Sequence, residues 1–592
     1  MPRLNRNARM LILSVVLGVV GALGAQLFEW MLNVAQHLLL TDIGHFTPPT
    51  PDSVAGASGP PATAGLDWWI PVVTTLGGLL AGVLVYTFAP EAEGHGTDAV
   101  VRAYHREQGR IRARIPVVKS IASAITIGSG GSAGREGPTA QIAAGVGALV
   151  GDLLKVSDDE RRYLTLIGMA AGLSAIFKSP LGTAIFAVEI LYGGLAFEET
   201  VLSFAIVAAA VAYGLNGMFD GWAPLFTLPA HLEFDNPVHL LWYGALGVAC
   251  GGIGALLPTV FYGTRDLFKK LPIPRHLKPA LGGLMLGVPA MFLPQVLGGG
   301  YGWMQLAIDG HLPVFLMLGL ALAKLPALSL SVGSGGSGGV FAPTLYVGAM
   351  LGGAIAVGLG GLAHGVPPQA FAVVGMAAMF GAAARVPLAT LVMVVEMTGG
   401  YGLIVPTMVA VVPAVLLQQA LTSRAKYPSL YEAQVPSPAD SPVHHEEYYR
   451  TTLSLLRQHR FHLADDVMMH EVAERLSSGH SVPLPGTTQS LYNVRVSPKA
   501  SAARKAIRDL PLPDNTIIIS ILRDRSMVAV HGDTKLEPGD RIVVAAPDKA
   551  KEQIRHLFGD PGAGSGPAGR TGDNPVNRAG SGDEADSGNR TS

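Results

Sequence analysis

The chain has 592 residues, of which 49% are hydrophobic and only 14% charged, with a formal net charge of −1 and a mean hydropathy of +0.37. An average soluble domain carries about 25% charged residues, so one large soluble core is excluded and a polytopic membrane protein is indicated. The near-neutral charge argues against a nucleic-acid partner, and the lone Cys250 excludes an intramolecular disulfide.

The first apolar run, residues 10–40, follows Arg3, Arg6 and Arg9. Ala22-Leu-Gly-Ala25 mimics a signal cleavage site, but the run continues past an ordinary signal core, so it reads as a retained spanning helix. A second run, 68–88, has about the 20 residues a bilayer span needs. Between them, 41–67 is rich in Pro, Gly and Ala and has no Lys or Arg, whereas the next loop carries Arg102, Arg106, Arg110, Arg112 and Arg114. Basic loops stay cytoplasmic. The N-terminus and the arginine loop are therefore expected inside, and 41–67 outside.

Two strings then repeat. Gly128 begins GSGGSAGREGP and Gly333 begins GSGGSGGVFAP, 333 − 128 = 205 residues later. Gly168 begins GMAAGLSAIFKSPLGTAIFAVE and Gly375 begins GMAAMFGAAARVPLATLVMVVE, at an offset of 375 − 168 = 207. The membrane part, 1–435, is thus read as two related halves, about 8–215 and 238–423. Paired halves with Gly/Pro-broken segments are the sequence signature of a transporter site.

A glycine string leading into a helix start exposes backbone N–H groups at the positive end of the helix dipole, an anion site without a fixed charge. Neutral donors bind an ion weakly enough to release it. Glu136 is an anion on a tether that competes for those donors and withdraws when protonated; an ionisable residue inside a membrane is a functional candidate by default. The competing reading is that the glycines only permit close helix packing; the duplicated string with its Arg-Glu and Phe-Ala-Pro variants favours the anion site.

Beyond about residue 421 the composition changes. Residues 436–470 are polar and open a cytosolic linker, 436–481, in which His444, His445, His459 and His462 read as solvated and not as a metal site. Residues 482–560 read as a small α+β domain, with strands at 492–496, 516–523, 527–530 and 541–545, a helix at 500–510, and turns at His531-Gly-Asp533 and Pro538-Gly-Asp540. Residues 561–592, almost without apolar side chains, are expected to be disordered.

Gly134-Arg-Glu-Gly-Pro138 and Gly339-Val-Phe-Ala-Pro343 resemble two signature motifs of the CLC chloride channels and chloride/proton antiporters. The resemblance implies an all-α, multi-pass, inner-membrane homodimer of inverted-repeat halves built from tilted, broken helices, with chloride as the transported ligand, protons as a second candidate, no cofactor and no enzymatic activity. It makes Glu136 the voltage- and pH-sensitive gate. It places the anion near His95, Gly96, Arg135, Gly137, Val340, Phe341, Ala342 and Tyr431, with Tyr427 the fallback for Tyr431. Two departures stand out. The family's Gly-Ser-Gly-Ile-Pro is Gly94-His-Gly-Thr-Asp98 here, so His95 replaces the serine, and either its ring or only the backbone faces the ion. Proton-coupled members carry a Glu-Glu pair where this chain has Glu189-Ile190. Glu189 is left as an internal relay or, like its counterpart Glu396, as a structural cap. Glu198 and Glu199 read as solvated acids at a helix end. The apolar Ile190 favours a passive or weakly coupled chloride channel, with the antiporter as the alternative. The C-terminal domain resembles the RCK_C (TrkA-C) subdomain, which implies a cytoplasmic dimerising module with a cyclic dinucleotide as a candidate ligand. The same module implies a potassium-handling alternative, but a TVGYG filter is absent; no nucleophile–base set supports a membrane enzyme.

Overall fold

A computed structural model describes residues 5–54, 67–194, 196–228, 234–359, 367–438, 481–483, 489–523 and 526–559, with isolated positions 232, 441, 443 and 476. It divides into two compact units, residues 1–441 and 442–592.

The first unit is helical. Its first half runs α1 (Arg6–Gln36), continued by a π-turn segment His37–Ile43, α2 (Pro51–Val54), α3 (Trp69–Phe88), α4 (Thr97–Arg106), α5 (Arg114–Gly128), α6 (Glu136–Leu153), α7 (Asp158–Phe177), α8 (Pro180–Glu189) and α9 (Glu199–Asp220). The second half runs α10 (Leu240–Lys270), α11 (Lys278–Ala290), α12 (Tyr301–Ile308), α13 (Val314–Val332), α14 (Phe341–Leu359), α15 (Pro368–Ala384), α16 (Pro387–Thr398) and α17 (Ile404–Thr422). Apart from α2, each helix of the first half has a counterpart in the second. The first helices of the two halves, α1 and α10, are each 31 residues long. The matched caps are alike as well. Gly96 precedes α4 at φ +84° and Gly300 precedes α12 at φ +81°. Lys178 ends α7 at φ +55° and Arg385 ends α15 at φ +59°. Among the described residues, seven helices are long and apolar enough to cross a bilayer; α8 and α16, at 10 and 12 residues, are too short to span alone.

Small residues let the central helices cross closely. A Cβ on Gly147 of α6 would sit 2.1 Å from the Leu164 carbonyl of α7, and one on Gly348 of α14 would sit 2.2 Å from the Gly375 carbonyl of α15. These crossings bring the glycine strings that precede α6 and α14 to the centre of the unit.

The second unit holds a five-stranded antiparallel sheet in the order β1-β2-β5-β3-β4, with β1 (Val482–Pro483), β2 (Gln489–Arg495), β3 (Ile517–Arg523), β4 (Ser526–Val528) and β5 (Arg541–Pro547). Helix α18 (Lys551–Phe558) packs Ile554, Leu557 and Phe558 into its core with Ile521, Ile542 and Val544. The predicted helix at 500–510 does not form; only a 3₁₀ turn, Ile507–Asp509, is present. Its backbone groups are taken across the chain instead. Ile507 N–H donates to the Thr534 carbonyl at 3.0 Å, Arg508 N–H to Gly532 at 2.9 Å, and Leu536 N–H to Lys505 at 3.0 Å. Arg504 at φ +66° also breaks helical geometry. The tail 561–592 and all four linker histidines lie outside the described residues.

Candidate functional site

Three loops meet where the halves join. Gly134 N–H donates to the Gly339 carbonyl at 2.8 Å, and Gly339 N–H returns to Gly134 at 2.7 Å. Gly94 N–H donates to Gly336 at 2.9 Å, and Gly338 N–H to Gly94 at 3.3 Å. The two repeated strings are thus bonded to each other, and the Gly94 loop to the second.

This knot aims three helix starts at one small chamber. Its lining includes Thr97, the first residue of α4, Glu136, the first of α6, and Phe341, the first of α14, together with Gly137, Val340 and Tyr431. The chamber encloses about 10 Å³, the size of one water-sized particle. Position three of both α6 and α14 is proline, Pro138 and Pro343, which has no N–H. The donors left in those first turns are the N–H groups of Glu136 and Gly137, and of Phe341 and Ala342. Three positive dipole ends and these amides make a concave set of neutral donors, a geometry chemically suited to an anion.

Glu136 is 2% exposed. Its carboxylate folds back over Gly134, where a Cβ would lie 2.0 Å from Oε2, and faces its own backbone N–H and that of Ala342, without a hydrogen bond of good geometry to either oxygen. Gly137 is required by contact: a Cβ there would be 1.9 Å from the His95 carbonyl. Gly96 is required by its positive φ, and a Cβ there would also stand 2.5 Å from the Gly137 carbonyl.

Tyr431 reaches the chamber on a loop tied down by its neighbours. Leu430 N–H donates to Ala383 at 2.9 Å and Ala433 N–H to the Asp98 carboxylate at 2.7 Å. Asp98, noted in the sequence only for replacing a proline, therefore anchors the loop that presents Tyr431. Tyr427 lies elsewhere, stacked on Tyr262 at 4.5 Å and donating to Asp266 at 2.8 Å. His95 is buried behind the chamber. Its ring centroid is 5.4 Å from that of Tyr431 and 6.0 Å from that of Phe261, and Nδ1 has no partner. Thr97 takes the place on the chamber wall that the sequence offered to His95. Arg135 occupies the N-cap position of α6 and is paired with Glu29.

The other acids bond to helix ends. Glu189 Oε1 accepts from Leu388 N–H at 3.1 Å and Oε2 from Ala389 N–H at 2.7 Å, capping α16. Glu396 Oε2 accepts from Ser179 Oγ at 2.6 Å and Gly182 N–H at 2.9 Å, capping α8. Each half thus caps a short helix of the other, and both oxygens of Glu189 are engaged in doing so. Glu198 is not solvated as expected: it is buried and accepts from the Tyr192 hydroxyl, while Glu199 is exposed.

One pair escaped the sequence reading. Lys119 and Lys324 are fully buried. Lys119 Nζ donates to the carbonyls of Ala92 at 3.0 Å and Gly94 at 2.7 Å; Lys324 Nζ donates to Val296 and Gly298, both at 2.8 Å. Their offset, 324 − 119 = 205, equals that of the glycine strings, and that equality was the available signal. Each lysine pins the loop that leads into α4 or α12.

Comparison with known proteins places this geometry. Residues 77–419 match the voltage gated chloride channel family, and residues 491–559 match the TrkA-C domain. A protein of Ralstonia nicotianae carrying the name chloride channel protein ClcB-like is 34% identical over 431 residues, 71% of this chain and 95% of its own. The H(+)/Cl(−) exchange transporter ClcA of Salmonella paratyphi A is 33% identical over 372 residues, 61% of this chain and 78% of its own. Among solved structures, a slow cyanobacterial Cl−/H+ antiporter superposes with a TM-score of 0.60 at 22% identity, covering 72% of this chain and 96% of that one. A CLC-type fluoride/proton antiporter gives a TM-score of 0.60 at 22% identity, over 73% and 98%.

Proposed function

This chain belongs to the voltage gated chloride channel family, the CLC proteins, and from that premise we propose that it exchanges chloride for protons across a bilayer. The observation that carries the reading is the convergence of the α4, α6 and α14 N-termini on a chamber closed by the buried carboxylate of Glu136. A buried carboxylate held only loosely against the Glu136 and Ala342 N–H groups competes with an anion for the same donors. The competition ends in one of two ways: Glu136 takes up a proton and swings outward, or it exchanges places with a chloride ion at the amides of Gly137, Phe341 and Ala342. A single site that takes either a chloride or the gate's carboxylate, with the gate released by a proton, couples the two ions. Tyr431 contributes its hydroxyl at the inner side, and Val340 and Thr97 complete the wall. The names of the exchange-transporter relatives support this reading over the passive channel that Ile190 favoured.

A second reading, passive conduction gated by Glu136, rests on Ile190, which is fully buried and offers no acid next to Glu189. Liposomes loaded with chloride, with chloride efflux and external pH recorded together without protonophore, decide between them. Exchange predicts stoichiometric proton movement against its gradient; only leak-level proton movement overturns it. For the wild type, flux rises as external pH falls, and Glu136→Gln is expected to conduct chloride without pH dependence or coupling.

The unit is proposed to act as a homodimer in the inner membrane, with the N-terminus and the TrkA-C domain cytoplasmic. That domain is proposed as a dimerising regulatory module. The cyclic dinucleotide class implied by its resemblance is tested by calorimetric titration of the full-length protein.

A further inference from the structure

A second cavity, of about 440 Å³, opens next to the Glu136 helix start. Arg135, the residue immediately before the gate, projects into it, with its guanidinium carbon 5.2 Å from the Tyr301 ring centroid. Its Nη1 is paired with the carboxylate of Glu29 on α1. The two side chains are 15% and 26% exposed, so solvent screens the pair only in part.

We propose that Glu29 sets the proton affinity of the Glu136 gate by neutralising Arg135 and holding it toward α1. A cation adjoining a carboxyl stabilises its charged form and must be overcome by more acid; a cation already satisfied by its own carboxylate does so far less. Among the described residues lining this cavity, neither of the other acids, Asp52 and Asp220, is paired with Arg135. Lys178, at the end of α7, donates to the Asp220 backbone carbonyl at 3.0 Å. The Asp220 carboxylate on α9 accepts from Gln26 at 2.5 Å, Asp52 is on α2, and Tyr301 on α12 presents an uncharged ring. Across the chamber, Glu136 is faced by the neutral Thr97 and Tyr431, with His95 behind Tyr431. Glu29 is the carboxylate paired with Arg135, and it lies on an N-terminal helix remote in sequence from every motif of the site.

The inference rests on Glu136 being the proton-sensitive gate, and its test separates the two. Reconstituted full-length protein is assayed for chloride efflux against external pH in wild type, Glu29→Gln, Arg135→Gln, the double variant and Glu136→Gln. Glu29→Gln frees the cation and is expected to move the midpoint of activation to more acid pH by on the order of one unit. Arg135→Gln leaves Glu29 unbalanced and moves it the opposite way. The double variant returns toward wild type, and Glu29→Asp retains the wild-type midpoint more closely than Glu29→Gln. An unmoved midpoint in Glu29→Gln, or an equal acid shift from Glu29→Gln in the Arg135→Gln background, overturns the inference while leaving the gate intact. PH dependence that survives in Glu136→Gln overturns the gate itself. Should Glu29→Gln fail to reach the membrane, the alkaline shift of Arg135→Gln carries the test, and its absence sinks the proposal.

Discussion

At the scale of single residues, the acids of this protein divide by what their oxygens touch. Glu136 faces the chamber with no well-formed hydrogen bond to its oxygens; Glu189 has two backbone donors and closes a helix end. A cap predicts a stability effect more than a transport effect. Glu189→Ala should lower the unfolding free energy by about 1 kcal/mol, the ordinary worth of a capping side chain, and Glu189→Gln, which keeps an acceptor, by less. Thermal unfolding in detergent reads this, and proton coupling should survive in the Gln variant. Loss of coupling with unchanged stability would return Glu189 to a relay role. Tyr431 and Tyr427 give a second contrast, since only Tyr431 is on the chamber wall. Tyr431→Phe is expected to weaken chloride binding several-fold, the roughly 1 kcal/mol of one hydrogen bond, while Tyr427→Phe leaves affinity unchanged. Calorimetric titration with chloride checks both.

At the scale of elements, the repeat explains why the site exists at all. A helix start alone binds an anion weakly; here α4, α6 and α14 are locked together through the Gly134–Gly339 and Gly94–Gly336 backbone bonds. Close approach is what makes the lock possible, so Gly137→Ala should be severe. The added methyl would meet a backbone carbonyl at 1.9 Å, and backbone cannot turn aside as a flexible side chain can. Reduced folded yield, with chloride flux lost in whatever folds, is the expected result of size-exclusion and efflux assays. The repeat was legible from its two offsets, and with it the pairing of the halves. The reciprocal capping by Glu189 and Glu396 was raised only as one option, because a sequence offset aligns residues without stating which carboxylate lies against which helix. The helix expected at 500–510 failed for a related reason: local spacing favours a helix, but segment 532–536 competes for the same backbone groups.

At the scale of the whole molecule, the membrane unit and the sheet domain are separate compact bodies. Ending the chain before Pro442 is therefore expected to leave chloride exchange in liposomes, and any effect should fall on its regulation or on assembly. Within the sheet domain, Ser490 donates to the Asp548 carboxylate at 2.6 Å and the Tyr492 hydroxyl donates to it at 3.1 Å. These hydrogen bonds, Ser490 first, hold its carboxyl below the ordinary aspartate range. The sign follows from the lowered value: the stabilisation is complete above the ordinary range and is lost as pH falls through the folded-state value. Ser490→Ala should make this domain's stability less sensitive to acid, as hydrogen exchange at β2 and β5 across pH would show.

Composition and periodicity by themselves determined a polytopic membrane protein of two related halves with a small mixed domain after it, because apolar runs and repeated strings are properties of the chain read in order. The motif residues pointed to the anion and its gate for the same reason. Only the tertiary structure decided which groups meet: Thr97 on the chamber wall with His95 behind it, Asp98 holding the Tyr431 loop, two buried lysines pinning the helix entries, and Glu29 against Arg135. Those contacts join residues up to 335 positions apart. Such contacts depend on how helices cross, and the glycines permit the crossings without naming the partners they admit.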